Sequence, residues 1–168
     1  LAKSGVQIIA TYPNNDAGGL SIINKLKVLD ARSIDSIQVH RSLGRYLYHG
    51  LLALAQRKNN RVMCVGNSSS GIKETPAFGC PTVNIGSRQK GRLRGQNVID
   101  EDYKKESIVD AVTGCIEDKD FKKKCSETHN PYYIGDAGKK IAKVLAEVKL
   151  DRELIRKKMM LKGEVKTG

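Results

Sequence analysis

The stretch Arg61-Val62-Met63-Cys64-Val65-Gly66-Asn67-Ser68-Ser69-Ser70-Gly71-Ile72-Lys73-Glu74 passes from an apolar run, through a serine turn between glycines, to Ile72 and a charged pair. Arg61 to Val65 reads as a strand, and Asn67 to Gly71 breaks it. A short helix is expected from Ile72 to Phe78. It stops at Gly79, a residue suited to the position just past a helix end. Strand, polar turn and helix together form the unit from which parallel α/β sheets are built.

The same alternation continues on both sides. Upstream, Val6 to Thr11 is a short apolar run closed by Pro13, read as a buried strand. A helix follows from Leu20 to Leu29 with Ile22, Ile23, Leu26 and Leu29 on one face, then a strand from Ser36 to His40. Leu43, Leu47, Leu51 and Leu54 mark the next helical face. Downstream, Pro81 to Ile85 is a strand with proline at its first position, where a ladder tolerates it. Asn97 to Ile99 is a very short fifth strand. The chain then turns helical. Ile108, Val112, Cys115 and Ile116 form one face, Ile141, Val144, Leu145 and Val148 another, and a last helix is expected over Asp151 to Leu161. Strands joined by helices of this length require a parallel sheet with right-handed crossovers. The fold class is therefore α/β, a Rossmann-like parallel sheet sandwiched by helices. Residues 1–168 read as one domain, with 136–168 as its helical C-terminal extension.

Composition narrows the function classes. A chain of 168 residues can bury one proper core. Thirty Lys plus Arg against eighteen Asp plus Glu gives +12, which raises nucleic acid as a partner. The distribution argues against it. Many cations sit in the tail, at Lys149, Arg152, Arg156, Lys157, Lys158, Lys162 and Lys166, interleaved with Leu154, Met159 and Leu161 as on a solvated amphipathic helix. Only eight aromatics occur, and none alternates with basic residues as a base-stacking surface would need. No apolar run approaches the roughly 20 residues of a membrane span, and nothing resembles a signal peptide. The four cysteines form no CxxC pair and histidine is scarce, so no metal and no cofactor is expected. Cys64 and Cys80 read as small buried hydrophobes. The expected compartment is the cytoplasm. The chain begins at Leu1 and enters a strand almost at once, which reads as a start inside a larger protein.

Ligands of open α/β sheets bind beyond the carboxyl ends of the strands. Three polar, glycine-containing loops fall there. In Gly66 to Gly71, unpaired backbone N–H groups at a helix start and the hydroxyls of Ser68, Ser69 and Ser70 suit phosphate oxygens, although serine is also an ordinary helix cap. Gly71 allows close backbone approach. Glu74, one turn on, suits ribose hydroxyls; the alternative is a carboxylate favoured by the helix dipole. The loop Gly86 to Arg94 carries four cations, Arg88 among them, and a guanidinium can clamp phosphate bidentately. Asn14, Asn15 and Asp16, in the loop Pro13 to Gly19, are turn-forming residues in any protein.

In order along the chain stand Pro13-Asn14-Asn15-Asp16-Ala17-Gly18-Gly19, Ser42-Leu43-Gly44-Arg45-Tyr46-Leu47, Gly66 to Glu74, and Pro81 to Arg92 with its Gly86-Ser87-Arg88-Gln89-Lys90-Gly91-Arg92 end. Asn130-Pro131-Tyr132 and Gly135-Asp136-Ala137-Gly138 follow. This series resembles the C-terminal half of the hydrolysing UDP-N-acetylglucosamine 2-epimerases of sialic acid biosynthesis. The family pattern at its end is a tighter Asn-Pro-Tyr-Gly-Asp-Gly, and Tyr133 and Ile134 are inserted here. The resemblance implies one half of a B-type glycosyltransferase-like two-domain fold, holding UDP. By that analogy Ser68 and Ser69 bind phosphate, Arg88 adds a cation, and Glu74 holds the ribose. Asn14 contacts the nucleotide, and Arg41, Ser42 and Leu43 lie along the base. It also implies UDP-N-acetylglucosamine as substrate, N-acetylmannosamine and UDP as products, a missing N-terminal domain, and a homo-oligomer, dimer or tetramer. The family's catalytic carboxylates lie on the N-terminal half, so no catalytic residue is assigned in this one. A stand-alone nucleotide-sugar module, or half of a GDP-sugar epimerase or glycosyltransferase, is the alternative.

Overall fold

The computed structural model describes residues 5–57 and 59–156. The chain divides into two compact units, one through Tyr132 and one from Tyr133 onward.

The first unit is a series of parallel strands and helices. β1 (Ile8–Thr11) leads through a loop to α1 (Gly19–Asp30), then β2 (Ile37–His40) and α2 (Gly44–Ala53). β3 (Cys64–Gly66) is followed by α3 (Ser70–Lys73), β4 (Thr82–Ile85), β5 (Val98–Glu101), α4 (Lys105–Glu117) and α5 (Lys119–Ser126). β1 pairs with β2 in parallel, Ile8 opposite Ile37 and Thr11 opposite His40. A separate parallel ladder has the order β3-β4-β5, with Val83 between Val65 and Ile99. The strands are parallel, as the helix-length connections require. Their hydrogen bonds form two ladders rather than one.

β4 sets the core. Alternate side chains leave opposite faces of a strand. Val83 and Ile85 pack with Val112, Cys115 and Ile108 of α4. Thr82 and Asn84 face the other way, and both are buried. Thr82 lies beside Gly71 at the head of α3, where an added Cβ would sit 3.2 Å from the threonine methyl. Burial of Val83 and Val112 stabilises the unit by about 1.5–3 kcal/mol each. Beneath α3 lies a buried polar hub. Thr75 Oγ1 donates to the Gly71 carbonyl at 2.6 Å and accepts from Thr82 Oγ1 at 2.9 Å and from Asn97 Nδ2 at 3.0 Å. Asn97 Nδ2 also donates to the Cys80 carbonyl at 2.8 Å.

Several expectations shift in detail. The helix expected over 72–78 is an α-turn, α3, followed by a 3-10 turn, Thr75–Phe78. Pro76 has no N–H to continue the α-helical ladder, so the chain tightens there. It ends at Gly79 in the left-handed conformation, φ 55°, as expected. In α2 the inward side is the half-buried Tyr48 and the buried Leu52, continued by Ala55 in the 3-10 turn Leu54–Gln56, and of the expected face Leu43, Leu51 and Leu54 are half-buried. Leu47 is exposed. That helix is apolar around most of its girth, so spacing alone cannot choose the stripe. Ile22 is also exposed, and the inner face of α1 is Ile23, Leu26 and Leu29. α5 was not expected. Asp118 caps it, its Oδ1 accepting from the amides of Asp120 and Phe121 at 2.8 and 2.9 Å.

The second unit holds α6 (Ala137–Glu147) and α7 (Arg152–Ile155). Ile141, Val144 and Leu145 share one exposed face of α6. Leu154 N donates to Asp151 Oδ1 at 3.1 Å and so opens α7. Residues 157–161 of the expected last helix lie outside the described residues.

Candidate functional site

The loops after β1, β3 and β4 meet at one side chain. Arg88 follows β4. One of its terminal nitrogens donates to Asp16 Oδ2, in the loop after β1, at 2.6 Å. The other donates to the carbonyl of Asn67, in the loop after β3, at 3.1 Å. Gln89, buried beside it, donates to the same carbonyl at 2.7 Å. The loop itself is tethered by Arg94, which donates to the Gln89 carbonyl at 2.8 Å and pairs with Asp100 of β5. Asp100 in turn accepts from Asn84 of β4 at 2.7 Å. The cation loop is therefore fixed to the strand ends beneath it.

The serine turn is held from one side. Tyr48 OH, on α2, donates to Ser70 Oγ at 3.1 Å, and Ser70 Oγ donates to Ser68 Oγ at 3.0 Å. Burial, followed by the nearby Cys64 and Glu74, pushes the Tyr48 phenol well above its ordinary range, so it remains a donor. The amide N–H groups of Ser68 and Ser69 and the hydroxyl of Ser69 make no hydrogen bond among the described residues. The amides of Gly71 and Ile72 are already taken, by the Ser68 and Ser69 carbonyls at 3.2 Å. Because α3 has only four residues, its dipole is small. What the turn offers an anion is its free donors and the adjacent guanidinium, not a long helix.

Glu74 ends α3. Its Oε2 lies 2.6 Å from His49 Nε2 on α2. The histidine ring also stacks at a tilt on Phe78, centroids 5.3 Å apart. Sequence reasoning left His49 without a role. Its spacing from Glu74 is tertiary, set by α2 packing beside α3, so no local pattern could reveal it. Asp16, read as a turn residue, is the partner of Arg88. Of the remaining expected residues, Asn14 and Arg41 are exposed. Ser42 Oγ accepts from the Gly44 amide at 3.1 Å and shapes the entry to α2, and Leu43 is half-buried there. Among the described residues none of these forms a hydrogen bond or ion pair with Arg88 or the serine turn. His40, at the end of β2, lies within 3.4 Å of Gln38.

Asn130 and Tyr132 close the far side. Asn130 Nδ2 donates to the Lys73 carbonyl at 3.0 Å and Tyr132 OH to the Leu93 carbonyl at 2.8 Å, joining the end of α3 to the cation loop. Lys73 Nζ lies 5.6 Å from the centre of the Tyr132 ring. Beside this cluster a cavity of about 370 Å³ opens at the carboxyl ends of β4 and β5, lined by Asn84, Lys90, Arg94 and Tyr103 among others. A larger one, about 460 Å³, lies away from these loops. Among the described residues no group of His, Cys, Asp or Glu is placed to hold a metal ion. No helix among them is long and apolar enough to cross a membrane.

A parallel α/β sheet flanked by helices, with polar loops gathered at its carboxyl rim, is a Rossmann-like half of the B-type glycosyltransferase kind. The family model described as UDP-N-acetylglucosamine 2-epimerase matches residues 1–146, and the chain belongs to that family. It is 38% identical over 112 residues to a UDP-N-acetylglucosamine 2-epimerase of Neisseria meningitidis, a match covering 67% of this chain and 27% of that protein. It is 37% identical over 115 residues to a GDP/UDP-N,N'-diacetylbacillosamine 2-epimerase (hydrolyzing) of Campylobacter jejuni, covering 68% and 28%. Against a UDP-N,N'-diacetylbacillosamine 2-epimerase (hydrolyzing) of Legionella pneumophila it is 30% identical over 156 residues, covering 92% and 37%. The chain thus matches well under half the length of these relatives.

Proposed function

We propose that the loop cluster binds the UDP portion of UDP-N-acetylglucosamine and that the chain is the nucleotide-holding part of a hydrolysing 2-epimerase. The observation that carries this reading is Arg88, which draws three loops together beside the unpaired amides of Ser68 and Ser69. In this reading Ser68, Ser69, Ser70 and the close backbone at Gly71 receive the diphosphate, with Arg88 as the cation. Glu74, oriented by His49, takes the ribose hydroxyls. Asn14 and the stretch Arg41-Ser42-Leu43 lie along the nucleoside. In the reaction the C2 proton leaves the sugar as the anomeric C–O bond breaks and UDP departs with the bonding pair. Water then adds across the resulting double bond, giving N-acetylmannosamine. The contribution of these residues is to stabilise charge growing on the leaving diphosphate. No group here is assigned the proton transfers, which need a positioned acid and base.

Calorimetric titration with UDP, GDP and UDP-N-acetylglucosamine tests the reading. UDP and its sugar are expected to bind, and the 168-residue chain alone to release no N-acetylmannosamine. GDP is the informative competitor, because the name of the Campylobacter relative includes both nucleotides. Tighter GDP than UDP binding would overturn the substrate assignment.

A further inference from the structure

The larger cavity lies at the opposite end of the strands from the nucleotide loops. Arg61 and Met63 enter it from the segment leading into β3, and Phe78 from the turn that precedes β4. β3 is three residues long, so about 10 Å of strand separates the two ends. The cavity measures about 460 Å³, towards the small end of the roughly 300–1,000 Å³ typical of small-molecule sites.

Its lining is divided in character. Met63 and Phe78 belong to an apolar floor. Arg57, Arg61, Lys122 and Lys123 supply four cations, and no Asp or Glu is among the described lining residues. Lys122 is half-buried, with Nζ donating to the Asn60 carbonyl at 3.1 Å. Arg57, Arg61 and Lys123 form no ion pair among the described residues. Arg57, Arg61 and Lys123, set around a concave apolar floor, focus a positive potential into it. A bare ion would satisfy the charge but leave the floor wet. A neutral ring would cover the floor and leave the charge unmet.

We propose that this cavity binds a small organic phosphate monoester, its apolar body resting on Met63 and Phe78 and its phosphate among the Arg57, Arg61, Lys122 and Lys123 head groups. A dianion suits four cations better than a monoanion, and the volume suits a single ring rather than a nucleotide. The site lies apart from the proposed UDP site and does not depend on it.

Methyl NMR tests this directly. The chain has three methionines, at 63, 159 and 160, so a sample labelled at the methionine methyls has few signals, and Met63→Leu assigns the one in the cavity. Phenyl phosphate should shift the Met63 signal saturably, about tenfold more tightly than either phenol or inorganic phosphate, as charge-assisted bonds and apolar burial act together. The double variant Arg57→Gln/Arg61→Gln should weaken phenyl phosphate by about tenfold while keeping the native methyl spectrum, since both arginines are exposed. Excess UDP should leave phenyl phosphate binding unchanged. Equal affinity for phenol or for inorganic phosphate would overturn the proposal, as would an indifferent double variant or displacement by UDP. Failure of the chain to bind UDP would sink the nucleotide reading and leave this titration able to decide on its own.

Discussion

Replacing Arg88 with alanine should weaken UDP binding far more than it weakens the fold. In the free protein the guanidinium is held by Asp16 at 2.6 Å and by the Asn67 carbonyl. Arg88 and Asp16 are 42% and 58% exposed, and an ion pair so solvated contributes about 0.2–1 kcal/mol. A diphosphate arriving at the serine turn competes with Asp16 for the same nitrogens. The hydrogen bond it offers, between two charged groups, is worth about 1.5–3 kcal/mol. The difference leaves about 1–2 kcal/mol for Arg88 to contribute to binding, about five- to thirtyfold in affinity. Asp16→Asn should act in the opposite sense. It removes the competitor and a negative charge beside the phosphates, and UDP should bind up to about fivefold more tightly. Calorimetry on both variants, with thermal melts to confirm the fold, reads the two signs together. If Arg88→Ala binds UDP within about twofold of the parent, or if Asp16→Asn weakens binding as much as Arg88→Ala, the competition scheme is wrong.

Three other perturbations follow from the packing. Gly79→Ala places a methyl 3.0 Å from the Cys125 carbonyl oxygen at a left-handed φ of 55°. Backbone strain and overpacking together should cost about 2–4 kcal/mol, a melting point lower by about 5–15 °C. Tyr48→Phe keeps the ring and removes the donor to Ser70; a loss of about 1 kcal/mol in stability, with weaker UDP binding, should appear in denaturant melts and titrations. Burial holds the thiols of Cys80, Cys115 and Cys125 up at about 12, 11 and 12, from an ordinary 9.0. The unfolded chain therefore releases protons that the folded chain keeps. Stability should be intact below pH 9 and fall as pH rises towards these values, which melts in a pH series would record. At pH 8 a thiol reagent should leave these three cysteines unmodified until denaturant is added.

The order of strands and helices was legible because β1, β3 and β4 are short apolar runs closed, at their end or within two residues of it, by proline or glycine. The serine turn and the cation loop were legible for a related reason: a polar, glycine-bearing loop directly after a strand has few ordinary structural duties. What could not be read was set by contacts between distant segments. His49 meets Glu74 across 25 residues, and Arg88 meets Asp16 across 72. Neither pair leaves a local pattern. Spacing could not single out the inmost side of α2 because Leu47, Leu51 and Leu52 fall on different sides of it, and packing beside Cys80 and Phe78 chose Tyr48 and Leu52, with Ala55 in the turn that follows. α5 was missed for its composition, Lys-Asp-Phe-Lys-Lys-Lys-Cys-Ser, which offers only Phe121 and Cys125 as an inward face.

Thr75 spends every hydrogen-bonding capacity of its hydroxyl: one proton given, two lone pairs filled. Its neighbours have arranged themselves around that saturation. Exchanging Thr75 for valine would leave the buried Thr82 hydroxyl only the Cys80 carbonyl at 3.4 Å and would take one of the two acceptors from the Asn97 amide. An apolar version of this junction is reachable only if all three positions change together. Among related chains, residues 75, 82 and 97 should therefore vary as a set or not at all.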